Sequence, residues 1–349
     1  MQKGLRDYDM RIGYLETGPK NLITDVQGVL VGHSTISEGS LQTGVTAILP
    51  HGGDIFNNKV IGASYAMNGF GKTIGTIQIN ELGTIETPIL LTNTLSAGGC
   101  AHHLISYMLE QNEEIGTTTG TLNPVVGECN DMFLNDIRSQ VVTRQHVLEA
   151  LQSASTNFEQ GSIGAGTGMR CFGLKGGIGS SSRILRYPHG TYTLGVLVLS
   201  NFGEIDQFRM NGLHAGPLIK RKHLYNQPKG DKGSIMVIVA TDLPVTSRQL
   251  KRIIKRAAVG VSRTGSYIGN GSGDVFIGFS TANQIPHVKQ NTLLSVKAIH
   301  EEDIDQAFLA VADATEEAIL QSLLKSKTTV GRNGNVLYSL SDFMGKDIL

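Results

Sequence analysis

The 349-residue sequence contains no tryptophan, only three cysteines, 6% aromatic residues and 17% charged residues, with 30 Lys+Arg balancing 30 Asp+Glu. Each shortage excludes something. A net charge of zero without a basic tract removes the electrostatic footprint of a nucleic-acid binder. No run of about 18 apolar residues occurs, so no segment reads as a membrane-spanning helix. Cys100, Cys129 and Cys171 are odd in number, far apart and without a C-x-x-C spacing, which argues against a disulfide framework or a zinc site. The first 18 residues lack the apolar core of a signal peptide, so a reducing cytoplasm is the expected compartment.

Glycine is abundant instead: 43 residues, about 12% against a usual ~7%. The glycines do not recur every third residue, which excludes collagen, and they alternate with Val and Ile, which argues against disorder. The length allows two domains or one large α/β domain.

Strand-like runs are Val45–Leu49, Thr73–Ile79, Pro88–Thr92, Tyr192–Leu199, Ile235–Ala240 and Val275–Ser280, mostly bounded by Gly, Pro, Asn or Asp. Helical patterns lie between them. Thr143 is a candidate N-cap for a helix with Val147, Leu148 and Leu151 on one face. Leu250, Ile253, Ile254, Ala257, Ala258 and Val261 predict one amphipathic helix, whose opposite face carries Lys251, Arg252, Lys255 and Arg256 and reads as solvated rather than as a docking site for an acidic partner. Further helices are expected over 98–110 and 303–324. The strands are too apolar to leave one face wet, which suggests a sheet covered by helices or two stacked sheets between helix layers. The polar segment Lys220–Lys232 carries Pro228 and Gly230 and reads as an exposed loop or processing site, ending where an apolar strand starts after Ser234.

Three clusters invite chemical readings. Gly164-Ala-Gly-Thr-Gly168, inside the glycine-rich stretch 161–183, suggests a phosphate cradle, but no strand leads into it, no amphipathic helix follows, and Lys175 is not followed by Ser or Thr. Close backbone packing is the competing reading. His102 and His103 are expected on different sides of a helix, and His33, His51 and His214 sit near glycines, so no metal set emerges and no metal or organic cofactor is expected. No G-x-S-x-G elbow occurs.

Gly233-Ser234 joins a breaker-rich loop directly to an apolar strand. It reads either as a simple junction or as a site where the Ser234 hydroxyl attacks the unhindered Gly233 carbonyl. An acyl shift and hydrolysis would leave Ser234 as a new N-terminus, whose α-amino group, with an ordinary pKa near ~7.7–8.0, can serve as its base. In Gly269-Asn-Gly-Ser-Gly-Asp274, Ser272 and Asp274 share a face of an extended backbone and could relay a proton; a capped turn is the alternative.

Together with Asn21–His33, Thr43–Ala47, Asn68-Gly-Phe-Gly71, Pro88–Thr94, Pro124–Asp131, Leu134-Asn-Asp136, Lys175-Gly-Gly-Ile-Gly179, Ser182-Arg183 and Ala240-Thr-Asp242, these clusters resemble the self-processing serine aminopeptidases of the DmpA and β-aminopeptidase type over nearly the whole chain. The resemblance implies an α+β fold, a four-layer αββα sandwich of two stacked sheets, and self-cleavage of a single domain into 1–233 and 234–349. It implies Ser234 as nucleophile, Ser272 and Asp274 as its assistants, Asn201 as an oxyanion donor and Glu128 as the carboxylate that holds the amino group of a short peptide or amino-acid amide. A tetramer of processed units is expected on the same ground.

Two positions depart from the pattern. Asn130 replaces an aromatic residue, which bears on a second oxyanion contact or a pocket wall, and Lys72 stands where an acidic residue is usual. An acyltransferase of the ornithine acetyltransferase type, which shares the architecture but uses threonine, and a nucleotide-binding protein that never cleaves itself are the alternative readings.

Overall fold

The computed structural model describes residues 2–222 and 233–345. In chain order the strands are β1 (Leu30–Glu38), β2 (Leu41–Leu49), β3 (Asn58–Gly69), β4 (Thr84–Ile85), β5 (Ile89–Asn93), β6 (Val125–Cys129), β7 (Arg170–Cys171), β8 (Leu174–Lys175), β9 (Gly177–Tyr187), β10 (Gly190–Asn201), β11 (Ser234–Thr241), β12 (Gly273–Pro286), β13 (Thr329–Val330) and β14 (Val336–Leu337). The α-helices are α1 (Thr76–Leu82), α2 (Ala97–Gln111), α3 (Arg144–Gln152), α4 (Gly216–Lys222), α5 (Ser247–Lys255), α6 (Ala257–Arg263) and α7 (Asp305–Leu324).

Two large sheets form, one of four strands in the order β1-β2-β5-β6 and one of six in the order β4-β3-β12-β11-β10-β9, beside the two-stranded ribbons β7-β8 and β13-β14. Strand alternation shows how they stack. On β11, Met236, Ile238 and Ala240 pack with Val31, Ile48, Leu91 and Val125 of the other sheet, while Ile235, Val237 and Val239 pack with Leu250, Ile253, Val261 and the buried face of α7. Both faces of the strand are apolar because both are covered. A third cluster joins the four-stranded sheet to α2 and α3 through Val45, Leu90, Leu104 and Val147. The layers therefore run helix, sheet, sheet, helix, the expected αββα sandwich. The buried ion pair Arg183–Glu317, 2.7 Å apart, ties β9 to α7.

Three local expectations need correction. Residues 73–79 do not form a strand: Gly75 (φ +96°) turns the chain into α1, in which Ile79 is buried and Ile77 is 88% exposed. The β-branched content misled because only one side of the segment meets the core. The pattern over 250–261 spans two helices, since Arg256 has ψ −11° and its N–H bonds to the Ile253 carbonyl (2.9 Å), breaking the ladder between α5 and α6. The rings of His102 and His103 lie 5.4 Å apart rather than on separate sides.

The basic face of this helix pair is occupied internally. Arg252 pairs with Glu301, Lys255 lies over the Tyr65 ring, and Arg256 stacks on Phe308. Within the segment 220–232, residues 220–222 end α4, and 223–232 lie outside the described residues. No described helix is long and apolar enough to cross a membrane.

Topology brings the candidate residues to one edge. β11 and β12 are parallel, joined by the crossover through α5 and α6, so both begin at the same end, with Ser234 beside Gly273. β10 runs antiparallel to β11 and ends there, with Asn201 opposite Ser234. β3 ends there against β12, with Asn68 opposite Asp274. In the other sheet, the parallel pair β5 and β6 ends at Asn93 and Cys129.

Candidate active site

Ser234 opens β11 and is 5% exposed. Its strand is fixed on both sides by ladder pairing, so the hydroxyl position is set by the sheet rather than by a loop. Directly across, the Asn201 Nδ2 donates to the Ser234 Oγ at 3.5 Å. Asn201 Oδ1 accepts the Arg170 N–H at 2.9 Å. That backbone donor settles the amide orientation, because an N–H can face only the oxygen end, and so the NH₂ end is turned toward Ser234.

The 269–274 turn reaches the same edge. Ser272 and Asp274 are buried, and the Ser272 hydroxyl donates to Asp274 Oδ1 at 2.9 Å. With its proton committed to a carboxylate, the Ser272 oxygen offers lone pairs to an incoming N–H. Asn68 holds this turn by donating to the carbonyls of Gly269 (3.1 Å), Asn270 (3.2 Å) and Ser272. The Gly233 carbonyl accepts the Gly273 N–H at 3.2 Å. Gly233 itself has no room for a side chain, since a Cβ would lie 2.1 Å from the Asn201 carbonyl oxygen.

A small cavity of about 50 Å³ opens at this junction, lined by Phe70, Lys72, Thr94, Glu128, Asn130, Gly233, Ser234 and Gly271. Glu128 is its carboxylate. The Lys72 N–H donates to Glu128 Oε1 at 2.8 Å and the Thr94 hydroxyl to Oε2. Lys72 points its ammonium over the Phe70 ring, 4.6 Å from the centroid. Asn130 lines the cavity, with its Oδ1 accepting the Met132 N–H at 3.0 Å. Cys129, next to Glu128, is buried; burial first and the Glu128 charge second push its thiol well above the ordinary range. It is therefore a neutral neighbour of Ser234, not a thiolate.

All seven residues expected from the sequence, Glu128, Asn130, Asn201, Gly233, Ser234, Ser272 and Asp274, meet at this edge. Sequence reasoning missed the partners that hold them: Thr94, Asn68 and the backbone N–H groups of Lys72, Arg170 and Gly273. Asn68 lies in the Asn-Gly-Phe-Gly motif and could have been found there; backbone donors carry no residue identity to find. The glycine-rich loop at 164–168 is buried, and Gly164, Gly166 and Gly168 lie too close to other backbone atoms to admit even a Cβ, which favours the packing reading. Among the described residues no cluster of three or more His, Cys, Asp or Glu could hold a metal ion.

A two-sheet sandwich that brings a serine hydroxyl, an amide donor and a carboxylate together at its edge is an arrangement that a hydrolase of the peptidase class can use. The chain matches the model of peptidase family S58 over residues 21–337. The β-peptidyl aminopeptidase BapA of Sphingosinicella microcystinivorans is 35% identical, covering 97% of this chain and 90% of that protein. Among solved structures, the PH0078 protein of Pyrococcus horikoshii OT3 is 48% identical with a TM-score of 0.92, over 97% of this chain and 96% of that one. The L-aminopeptidase D-Ala-esterase/amidase of Ochrobactrum anthropi, described as a prototype of the serine aminopeptidases and a variant of the Ntn hydrolase fold, is 34% identical with a TM-score of 0.87, over 96% and 95%. The chain belongs to peptidase family S58.

Proposed function

We propose that the protein is a self-processing aminopeptidase or amidase that releases N-terminal residues from short peptides or amino-acid amides through an acyl-enzyme on Ser234. The Asn201 amide, pinned by the Arg170 N–H so that its donor faces the Ser234 hydroxyl, carries the reading.

In the intact chain, Ser234 Oγ attacks the Gly233 carbonyl carbon, and the Gly273 N–H supports the charge that develops on its oxygen. The C–O bond forms as the C–N bond breaks, the proton passes to the departing Ser234 amine, and water hydrolyses the ester to leave a Gly233 carboxylate and a free α-amino group. That amine becomes the base, held by the lone pairs of Ser272, which Asp274 orients. A substrate's ammonium pairs with Glu128, placing its first carbonyl at Ser234 Oγ, while Asn201 Nδ2 supports the oxyanion. The base protonates the leaving amine and then activates the water that frees the acyl group. The small cavity suits a compact first residue.

Assembly as a tetramer of processed units and a cytoplasmic location belong to the same proposal; the first rests on the resemblance to the self-processing serine aminopeptidases, and three buried cysteines outside any disulfide support the second. In the decisive experiment, Ser234→Ala runs as one uncut chain on a denaturing gel and releases no product from aminoacyl p-nitroanilides, whereas the parent gives two fragments, the second starting at Ser234 by mass. A cleaved or fully active Ser234→Ala chain overturns the proposal.

A further inference from the structure

Lys175 is a buried charge that this mechanism leaves unused, and one whose hydrogen-bond partners are all backbone carbonyls. It is fully buried on β8, and its Nζ donates to three backbone carbonyls: Gly166 (2.8 Å), Met169 (3.1 Å) and Gly176 (2.7 Å). Three acceptors at these distances call for the three donors of an ammonium rather than the two of an amine. Burial pulls this group down toward about 7, opposed by the charge of Asp131.

The Met169 carbonyl belongs to the same peptide unit as the Arg170 N–H. One end of that rigid plane is gripped by Lys175, with the Gly176 N–H as a second donor at 3.0 Å. The other end donates to Asn201 Oδ1 at 2.9 Å. A cation on the carbonyl oxygen polarises the peptide and strengthens its N–H as a donor. Lys175 also holds Gly166, where the turn leading to Met169 begins, so the whole turn is fixed from within.

We infer that Lys175 is a positioning residue for the oxyanion amide: through the Met169–Arg170 peptide it locks Asn201 with its NH₂ toward Ser234. The inference rests on the oxyanion role proposed for Asn201. Loss of a group that acts on the transition state alone should lower kcat and spare KM.

The test is a double-mutant cycle on processed enzyme, with turnover normalised to the cleaved fraction. Asn201→Ala should lower kcat by about 100-fold; no loss there refutes the oxyanion reading itself. Given that loss, Lys175→Met should lower kcat by about 10-fold or more with KM within about 2-fold, and should have almost no further effect on top of Asn201→Ala. Equal losses in both backgrounds, or a rise in KM that accounts for the loss, overturn the inference.

Lys175→Gln, which keeps two donors, should fall between the parent and Lys175→Met; aggregation of both variants marks a residue of the fold and also overturns it. In a Ser234→Ala chain, which needs no processing, Lys175→Met should speed hydrogen exchange of the Arg170 amide at least 10-fold while the β11 amides keep their protection. Unchanged Arg170 protection refutes the linkage directly.

Discussion

Gly233→Ala is the smallest change that tests how the strand junction serves self-cleavage. An added Cβ would stand 2.1 Å from the Asn201 carbonyl oxygen and 2.5 Å from Phe202 Cα, where real Cβ contacts stay beyond 3.0 Å. Both obstacles are backbone, so the junction has to open by about 0.9 Å between the end of β10 and the start of β11. That movement carries the Gly233 carbonyl away from the Gly273 N–H, now 3.2 Å away, and from the Ser234 hydroxyl. A displacement near one ångström costs an attack geometry about 100-fold, or roughly 2.7 kcal/mol of barrier. Overpacking at the same site costs about 1–3 kcal/mol of stability. Precursor made by cell-free synthesis and sampled over time on denaturing gels measures the cleavage rate, and urea unfolding shows that the uncut chain is folded. A folded Gly233→Ala chain that cleaves within about threefold of the parent rate would mean that the carbonyl position does not control the reaction, and the reasoning fails.

Glu128→Gln keeps the contacts with the Lys72 N–H and the Thr94 hydroxyl but removes the charge; kcat/KM for substrates with a free amine should fall by about 10- to 100-fold, the worth of a charge-assisted hydrogen bond, and the preference over N-acetylated analogues should shrink. An unchanged preference in paired hydrolysis assays counts against the amine site. Gly99→Ala lies in α2 where an added Cβ meets nothing within 4 Å, so urea unfolding should show a gain of about 0.5–1 kcal/mol; a loss would mean that this turn is not free. Burial pulls the His33 ring down to about 4 against an ordinary 6.5, so between those values the unfolded chain binds a proton that the folded chain refuses, and stability falls as pH drops through that window. The ring edge is partly exposed, which limits the effect to roughly 2 kcal/mol by pH 4.5. Comparison of the parent with His33→Gln at pH 7 and 4.5 checks the sign, since their stability difference should change by that amount in favour of the variant.

The layers were legible because burial leaves a mark on every residue of a strand. The run Ile235–Ala240 has no polar face, which already requires cover on both sides, and the site residues came through as motifs at strand ends. The failures share a cause. Residues 73–79 carry strand-like side chains, but a positive φ at Gly75 decides their conformation, and 250–261 keeps a helical period through a break at Arg256 that leaves the buried positions in phase. A hydrophobic pattern reports which residues face the core, not whether the hydrogen-bond ladder is continuous.

The site was half legible for a related reason. Ser234, Asn201, Ser272 and Glu128 are side chains with chemistry of their own, whereas their orientation comes from the N–H groups of Arg170, Gly273 and Lys72, which any residue supplies. What the sequence does carry is the condition for those backbone groups to come close enough. A Cβ at Gly176 would lie 2.3 Å from the Ser200 carbonyl oxygen, one at Gly168 2.1 Å from the Gln42 carbonyl oxygen, and one at Gly273 2.6 Å from the Phe70 carbonyl oxygen. Part of the glycine excess thus lies where loops press backbone against backbone around Asn201 and Ser234, as it does at other close approaches such as Gly179 against the Ala318 carbonyl and Gly260 against the Ala312 carbonyl. That part is the sequence's record of a site oriented by peptide groups, and it explains how a chain so rich in glycine can hold one amide in a single orientation.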